Sequence, residues 1–264
     1  MAGSAPVRSV FADPQKGAHP LRAPVPDAPA TGSGGGAEGG RTAREETARA
    51  KASRAETRAG RRDYGGRSAT QRRAERRERL MNAGLELFGT EGYPAVSIER
   101  LCATANVSTR NFYEEFPSRE ALLIALHEQN TVRAYEAVLA AVADALEASM
   151  PERVSKAIRA YVSTAAADPR WTRIAFVEVV GVSPAVEAHR IQWRERLSQL
   201  VEAEAQLAIS RGEATNRSFK LTSMAFFGAV NELVYNWSNN GRQVPLEDIC
   251  AELTRLAVAA LTAP

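Results

Sequence analysis

From about Thr70 onward, large apolar residues recur at spacings of three and four. Leu80, Leu85, Leu87 and Phe88 form one such set, Ile98, Leu101 and Cys102 a second, and Leu122, Leu123 and Leu126 a third. That spacing is one face of an α-helix, and no stretch sustains the period of two that a half-buried strand needs. Helix-stopping signals fall at Gly89 to Pro94, Asn106, Pro117, Pro151, Pro169, Gly181 to Pro184, Gly212 and Asn239 to Pro245. They predict an all-α fold of roughly nine helices, over 72–90, 97–104, Thr109 to Glu114, 118–148, 152–167, 169–180, 183–210, 218–239 and 245–262. No internal repeat is present at a period of 20–50 residues.

The first 70 residues have a different texture. Between Asp27 and Asp63 there is no Val, Ile, Leu, Met or aromatic residue, and 11 of the 18 glycines precede Thr70. Such a segment cannot offset the entropy of ordering it, so a disordered extension is expected. The glycine-rich run 32–36 follows no strand and opens no apolar helix, which makes it a linker and not a phosphate loop. Arg41 to Arg79 hold 14 basic and 6 acidic residues, while the whole chain is only +3 and 80–264 is slightly acidic. Positive charge ahead of an acidic globule points to an anionic polymer as partner, nucleic acid before membrane. No apolar run reaches the roughly 18 residues of a transmembrane helix. Arg8, Ser9 and Asp13 interrupt the apolar N-terminus, which argues against a secretory signal. Two cysteines, Cys102 and Cys250, exclude a disulfide scaffold, and the expected compartment is the cytoplasm, at the nucleoid.

Residues 97–116 carry the sharpest chemistry. Ser97 is placed to cap the second helix. Ala105-Asn106-Val107 must reverse the chain, and Asn106 suits the left-handed position of the turn. Ser108 is placed to cap a short third helix whose first turn holds Thr109, Arg110 and Asn111. Helix, three-residue turn and short helix is the geometry of a helix-turn-helix DNA reader. Arg can pair bidentately with guanine and Asn with adenine, and the helix N-terminus attracts phosphate. Of Phe112 and Tyr113, one ring is expected in the core and the Tyr hydroxyl at a phosphate. The predicted DNA-contacting residues of this unit are Ser97, Ser108, Thr109, Arg110, Asn111, Phe112 and Tyr113, and Ser118 and Arg119 open the fourth helix.

Over about fifty residues this stretch resembles the tetracycline-repressor (TetR) family of bacterial transcription regulators. The resemblance is carried by 79–88 (Arg-Leu-Met-Asn-Ala-Gly-Leu-Glu-Leu-Phe), Gly92-Tyr93, Val96-Ser97-Ile98, Leu101-Cys102, Ala105 to Ser108, Asn111-Phe112-Tyr113 and Phe116 to Leu122. Gly84 and Cys102 stand where the family usually has Ala, Asn106 where it has the turn Gly, and Arg119 where Lys is usual, which implies a phosphate-facing charge and adds Arg119 to the DNA-contacting set. The resemblance implies an all-helical homodimer, one DNA reader per subunit, a pseudo-palindromic operator in double-stranded DNA, and a C-terminal domain for a small effector. It gives three segments. Residues 1–70 are the extension. Residues 71–132 are the DNA-binding domain, and 133–264 form a six-helix regulatory and dimerisation domain.

The C-terminal region shows no comparable motif. Glu178 lies in the apolar run Ile174 to Val180, where a carboxylate needs an ionic partner or a cavity. With Trp171, Phe176, Trp193, Phe226 and Tyr235 it is assigned to an apolar ligand pocket, an ordinary salt bridge being the competing reading. The family pairs its last two long helices across the dimer, which assigns Leu221, Ala225, Gly228, Ile249, Leu253 and Leu256 to the interface. A helix buried within one chain would show the same stripe. His19, His127 and His189 are isolated along the sequence and lack metal-ligand spacing, so neither a metal nor a cofactor is expected. No Gly-x-Ser-x-Gly, phosphate loop or paired-His motif supports a helical enzyme. The expected function is a DNA-binding regulator, a repressor released by a small apolar effector. An adaptor or activator controlled by a protein partner, with no small-molecule pocket, is the alternative.

Overall fold

The computed structural model describes residues 68–263. The disordered extension expected over 1–70 lies almost wholly outside them. Nine α-helices are present among the described residues: α1 (Ala69–Thr90), α2 (Ile98–Ala105), α3 (Thr109–Glu115), α4 (Arg119–Ala143), α5 (Met150–Ala165), α6 (Pro169–Arg173), α7 (Pro184–Ser210), α8 (Lys220–Asn239) and α9 (Leu246–Thr262). A short 3-10 turn at Tyr93–Ala95 joins α1 to α2, and α6 runs into a π-helical turn at Ile174–Glu178. The expected all-α class holds. Two helices end early. The fourth stops at Ala143 instead of 148, and the sixth changes to π geometry after Arg173. Among the described residues no helix is long and apolar enough to cross a membrane.

Caps fix where the first helices begin. Ser97, Ser108 and Ser118 each accept a hydrogen bond from the backbone N–H three residues on, at 3.2, 3.2 and 3.0 Å, which satisfies one otherwise orphaned donor per helix. Asn106 ends α2 in the left-handed region, at φ 51°. Leu80, Phe88, Leu101, Phe112, Leu122, Leu123 and Leu126 are fully buried together. A Cβ at Gly84 would lie 3.0 Å from methyl carbons of both Leu122 and Leu126, so α1 packs closely on α4 there.

That core does not end with α4. Trp171, Ile174, Val179 and Val186 belong to the same apolar cluster. Gly89, buried near the end of α1, allows α6 to come so close that a Cβ on it would sit 2.5 Å from Arg170 Cβ and 2.8 Å from Arg170 Cα. Arg170 also reaches Glu86, at 2.6 Å, and closes on Asp168.

The remaining helices pack around two further clusters. One holds Val154, Ile158, Val230, Val234, Cys250 and Leu253. The other holds Val138, Leu139, Leu197, Leu200 and Phe227. Arg153 is fully buried and completely engaged. Its guanidinium pairs with Glu204 and Glu213, both at 2.7 Å, and donates to the Ala148 carbonyl at 2.6 Å. His127 on α4 and His189 on α7, distant in sequence, meet at 3.0 Å between Nδ1 and Nε2. Among the described residues no group of three or more His, Cys, Asp or Glu side chains is placed to hold a metal ion.

Two outcomes test this packing. Leu253 is completely buried within the chain, so Leu253→Ala should cost about 2–5 kcal/mol in denaturant unfolding, by lost transfer energy plus the cavity left behind. A cost near zero would show that its surroundings are not a core. Burial, then the neighbouring His189 and the Arg190 charge, pull the His127 imidazole down to about 3, from about 6.5 unfolded. Between those values the unfolded chain binds the extra proton. The stability that depends on neutral His127 is therefore complete above about pH 6.5 and is lost as pH falls toward 3. His127→Gln should flatten the acid side of the stability profile between pH 6.5 and 5, read from urea midpoints.

Candidate DNA-reading helix and ligand cavity

The reader helix α3 is anchored on one side and free on the other. Phe112 is fully buried against Phe116 and Tyr113, so it holds the helix and offers nothing to DNA. Its place in the predicted contact set is corrected accordingly. Tyr113 is 54% exposed, and Thr109 and Arg110 are exposed beside it. Arg110 pairs with Glu114, one turn on, at 3.4 Å. Asn111 is half-buried, with its backbone N–H on the Ser108 cap. Ser97 and Ser108 are occupied as caps. Arg119 turns inward: its guanidinium lies 4.3 Å over the Tyr93 ring and donates to the Val96 carbonyl. It therefore fixes the start of α2, which corrects its assignment as a phosphate contact.

Arginines from α1 hold the reader from behind. Arg76 pairs with the buried Glu115 at 3.2 Å, Arg77 donates to the Glu115 carbonyl at 3.1 Å and lies over the Phe116 ring, and Arg79 donates to the Asn106 carbonyl at 3.3 Å. Their charge alone suggests attraction for phosphate. No local pattern announces that they point at α3 and the turn.

The predicted pocket residues do not converge. Trp171 belongs to the reader's own core. Glu178 is buried in an ion pair with Arg173, at 2.7 Å, and accepts the Tyr93 N–H at 2.6 Å. It thus ties the π turn to the end of α1, and the salt-bridge reading replaces the pocket anchor. Tyr235 is exposed on α8. Phe176 and Trp193 line one cavity, and Phe226 lines another.

The larger cavity, about 120 Å³, lies among α4, α5, α7, α8 and α9 and is walled almost wholly by carbon, including Val142, Ala157, Ile158, Leu200, Phe226 and Leu261. Its polar boundary is the Arg153–Glu204 pair. Burial pushes the Glu204 carboxyl up while Arg153 holds it down, with burial the larger effect. The smaller cavity, about 60 Å³, is lined by His127, Asn130, Phe176, Arg190, Trp193 and Arg194 among others. Tyr161, Leu197 and Phe227 are common walls of the two. Asn130 was legible in principle, since it interrupts the apolar spacing 123, 126, 130, 134 of α4.

The proposed interface residues also separate. Leu253 is core and so turned away from any second chain, while Ile249 is half-buried. Leu221, Ala225, Gly228 and Leu256 are exposed, with Met224 and Tyr235 on the same side of α8; Leu221 is 78% and Met224 59% exposed.

Comparison with known proteins gives the same frame. Residues 80–126 match the bacterial regulatory proteins of the tetR family, and residues 147–261 match the tetracyclin repressor-like C-terminal domain. No curated protein matches the chain significantly in sequence. Among solved structures, the transcriptional regulator FadR from Bacillus subtilis in complex with stearoyl-CoA is similar at TM-score 0.61 and 18% identity, covering 69% of this chain and 98% of that one. The fatty acid degradation regulator FadR from Bacillus halodurans aligns at TM-score 0.62 and 15% identity, over 75% and 98%. A tetR-family regulatory protein from Rhodococcus RHA1 aligns at TM-score 0.56 and 20% identity, over 72% and 98%. With the helix-turn-helix and the C-terminal helices each matched in order, the chain belongs to the TetR family of DNA-binding transcriptional regulators.

Proposed function

We propose that this protein is a repressor that reads a pseudo-palindromic operator as a homodimer and releases it when a small, largely apolar effector enters the C-terminal helices. In this reading residues 71–132 are the DNA-binding part and 133–264 the sensing and dimerising part. The observation that carries the effector is the carbon-walled cavity of about 120 Å³ among α4, α5, α7, α8 and α9. An adaptor without a ligand would have no use for such a space, since packed interiors leave few voids. One solved structure of this fold was obtained with stearoyl-CoA. That agrees with an effector carrying a hydrocarbon body.

Arg110, Tyr113, Thr109 and Asn111 are the reader's contacts, and a dimer sets two such helices about one DNA turn, roughly 34 Å, apart. The exposed side of α8, from Leu221 through Met224, Ala225 and Gly228, is the face for the second copy. The effector acts by preferring a spacing that DNA does not accept, and its effect equals its differential affinity for the two states. A hundredfold preference is worth about 2.7 kcal/mol.

Three results test this. Arg110→Ala should weaken binding to a mapped operator and relax preference at one base position by about 1–3 kcal/mol, whereas Tyr113→Phe should weaken all sequences alike. Equal binding by wild type and both variants would remove α3 from the interface. Leu221→Glu combined with Met224→Glu should give a folded monomer by light scattering that has lost operator binding; an intact dimer would place the interface elsewhere. Ala157→Phe should fill the cavity, keep DNA binding, and block uptake of the apolar fluorophore N-phenyl-1-naphthylamine. Undiminished uptake would separate the cavity from ligand binding.

A further inference from the structure

We propose that the smaller cavity is the polar-end subsite of the effector site and takes an aliphatic carboxylate carrying a hydroxyl near its carboxyl group, with the hydrocarbon body in the larger cavity. This rests on the ligand reading above. The two cavities differ in how their polar groups are served. At the larger, Arg153 is spent: every guanidinium nitrogen already donates, to Glu204, Glu213 or the Ala148 carbonyl. A ligand gains nothing there.

At the smaller, a polar group is left over. Asn130 is 99% buried at the cavity wall, and its Oδ1 has no hydrogen-bond partner. A buried acceptor in that state calls for a donor. Tyr161 forms part of both cavities, and burial alone pushes its phenol up to about 12, with no hydrogen bond contributing. It is a neutral hydroxyl. His189 Nε2 lies 3.0 Å from His127 Nδ1 and 3.6 Å from a carboxylate oxygen of Glu128. The nearby Glu128 charge favours a proton on His189 Nε2, which then donates to His127 Nδ1 and leaves the His127 proton on Nε2. The tautomer is assigned from this network. Arg190 and Arg194 bring two guanidiniums to the wall; Glu187, outside the lining, pairs with both, and Glu128, also outside it, accepts from Trp193 Nε1.

One unpartnered acceptor beside two guanidiniums in the wall fits one anionic group together with one hydroxyl. The carboxylate would lie against the Arg190 and Arg194 guanidiniums, whose planar donors match it. The ligand hydroxyl would donate to Asn130 Oδ1. Because Tyr161, Leu197 and Phe227 wall both spaces, the hydrocarbon body would pass beside Tyr161 into the carbon-walled cavity.

The test is displacement of N-phenyl-1-naphthylamine from the full-length protein by 3-hydroxydecanoate, decanoate, methyl 3-hydroxydecanoate and 1-decanol. The expected order puts 3-hydroxydecanoate at least tenfold ahead of decanoate and of the ester. Asn130→Leu should bring 3-hydroxydecanoate down to the decanoate level and leave decanoate unchanged. Arg190→Met should weaken both acids and spare the ester, with folding of each variant checked by thermal unfolding and operator binding. If the fluorophore binds and the four compounds displace it alike in the wild type, the polar subsite is overturned while the apolar cavity stands. If the fluorophore does not bind at all, the effector reading falls and the subsite with it.

Discussion

The stretch from Trp171 to Val179 cannot place its side chains in one environment, and the architecture follows from how it divides them. Trp171, Ile174 and Val179 are buried in the core that supports the reader helix. Phe176 instead joins the C-terminal cluster and walls the polar cavity. Glu178 spends its carboxylate on Arg173 and on the Tyr93 N–H. A π turn is rare and frequently lies at a functional site. On this one Phe176 and Glu178, two residues apart, go to opposite sides. Whatever moves Phe176 is therefore two residues from a bond to the chain entering α2.

The reader was legible because its chemistry is local. Ser97, Ser108 and Ser118 each act on an N–H three residues ahead, and Asn106 turns the chain by its own backbone conformation. The C-terminal helices are built from distant pairings that no local pattern announces. Arg153 finds Glu204 and Glu213 only once α5 and α7 are side by side, and His127 meets His189 in the same way. The stripe on α9 shows which residues are apolar but not what covers them. Leu253 faces its own chain, while Leu256, less than a turn later, faces outward. Trp171 and Glu178 were misplaced because an aromatic ring and a carboxylate in an apolar helix suit a pocket and a junction equally well.

The positive charge at the start of the folded region also has two uses. Arg76, Arg77 and Arg79 hold Glu115 and the α2–α3 turn, and Arg119 is folded onto Tyr93 and Val96. These guanidiniums set the angle at which α3 is presented. Counting them all as attraction for phosphate overstates the field that the helix-turn-helix itself offers, and makes Arg110, the exposed cation of α3, more important to it.

Gly89 gives the contact between the two halves of this machinery an unusual stiffness. Most packed helices meet through side chains, which yield by changing rotamer. Where α1 passes α6 there is only hydrogen on one side and the Cα–Cβ bond of Arg170 on the other. Bond geometry is far less compliant than a rotamer. A small shift of α6 would therefore arrive at the end of α1 undiminished, as with a rigid coupling and not a spring, and thermal jitter of side chains would add little noise to the spacing that the reader presents.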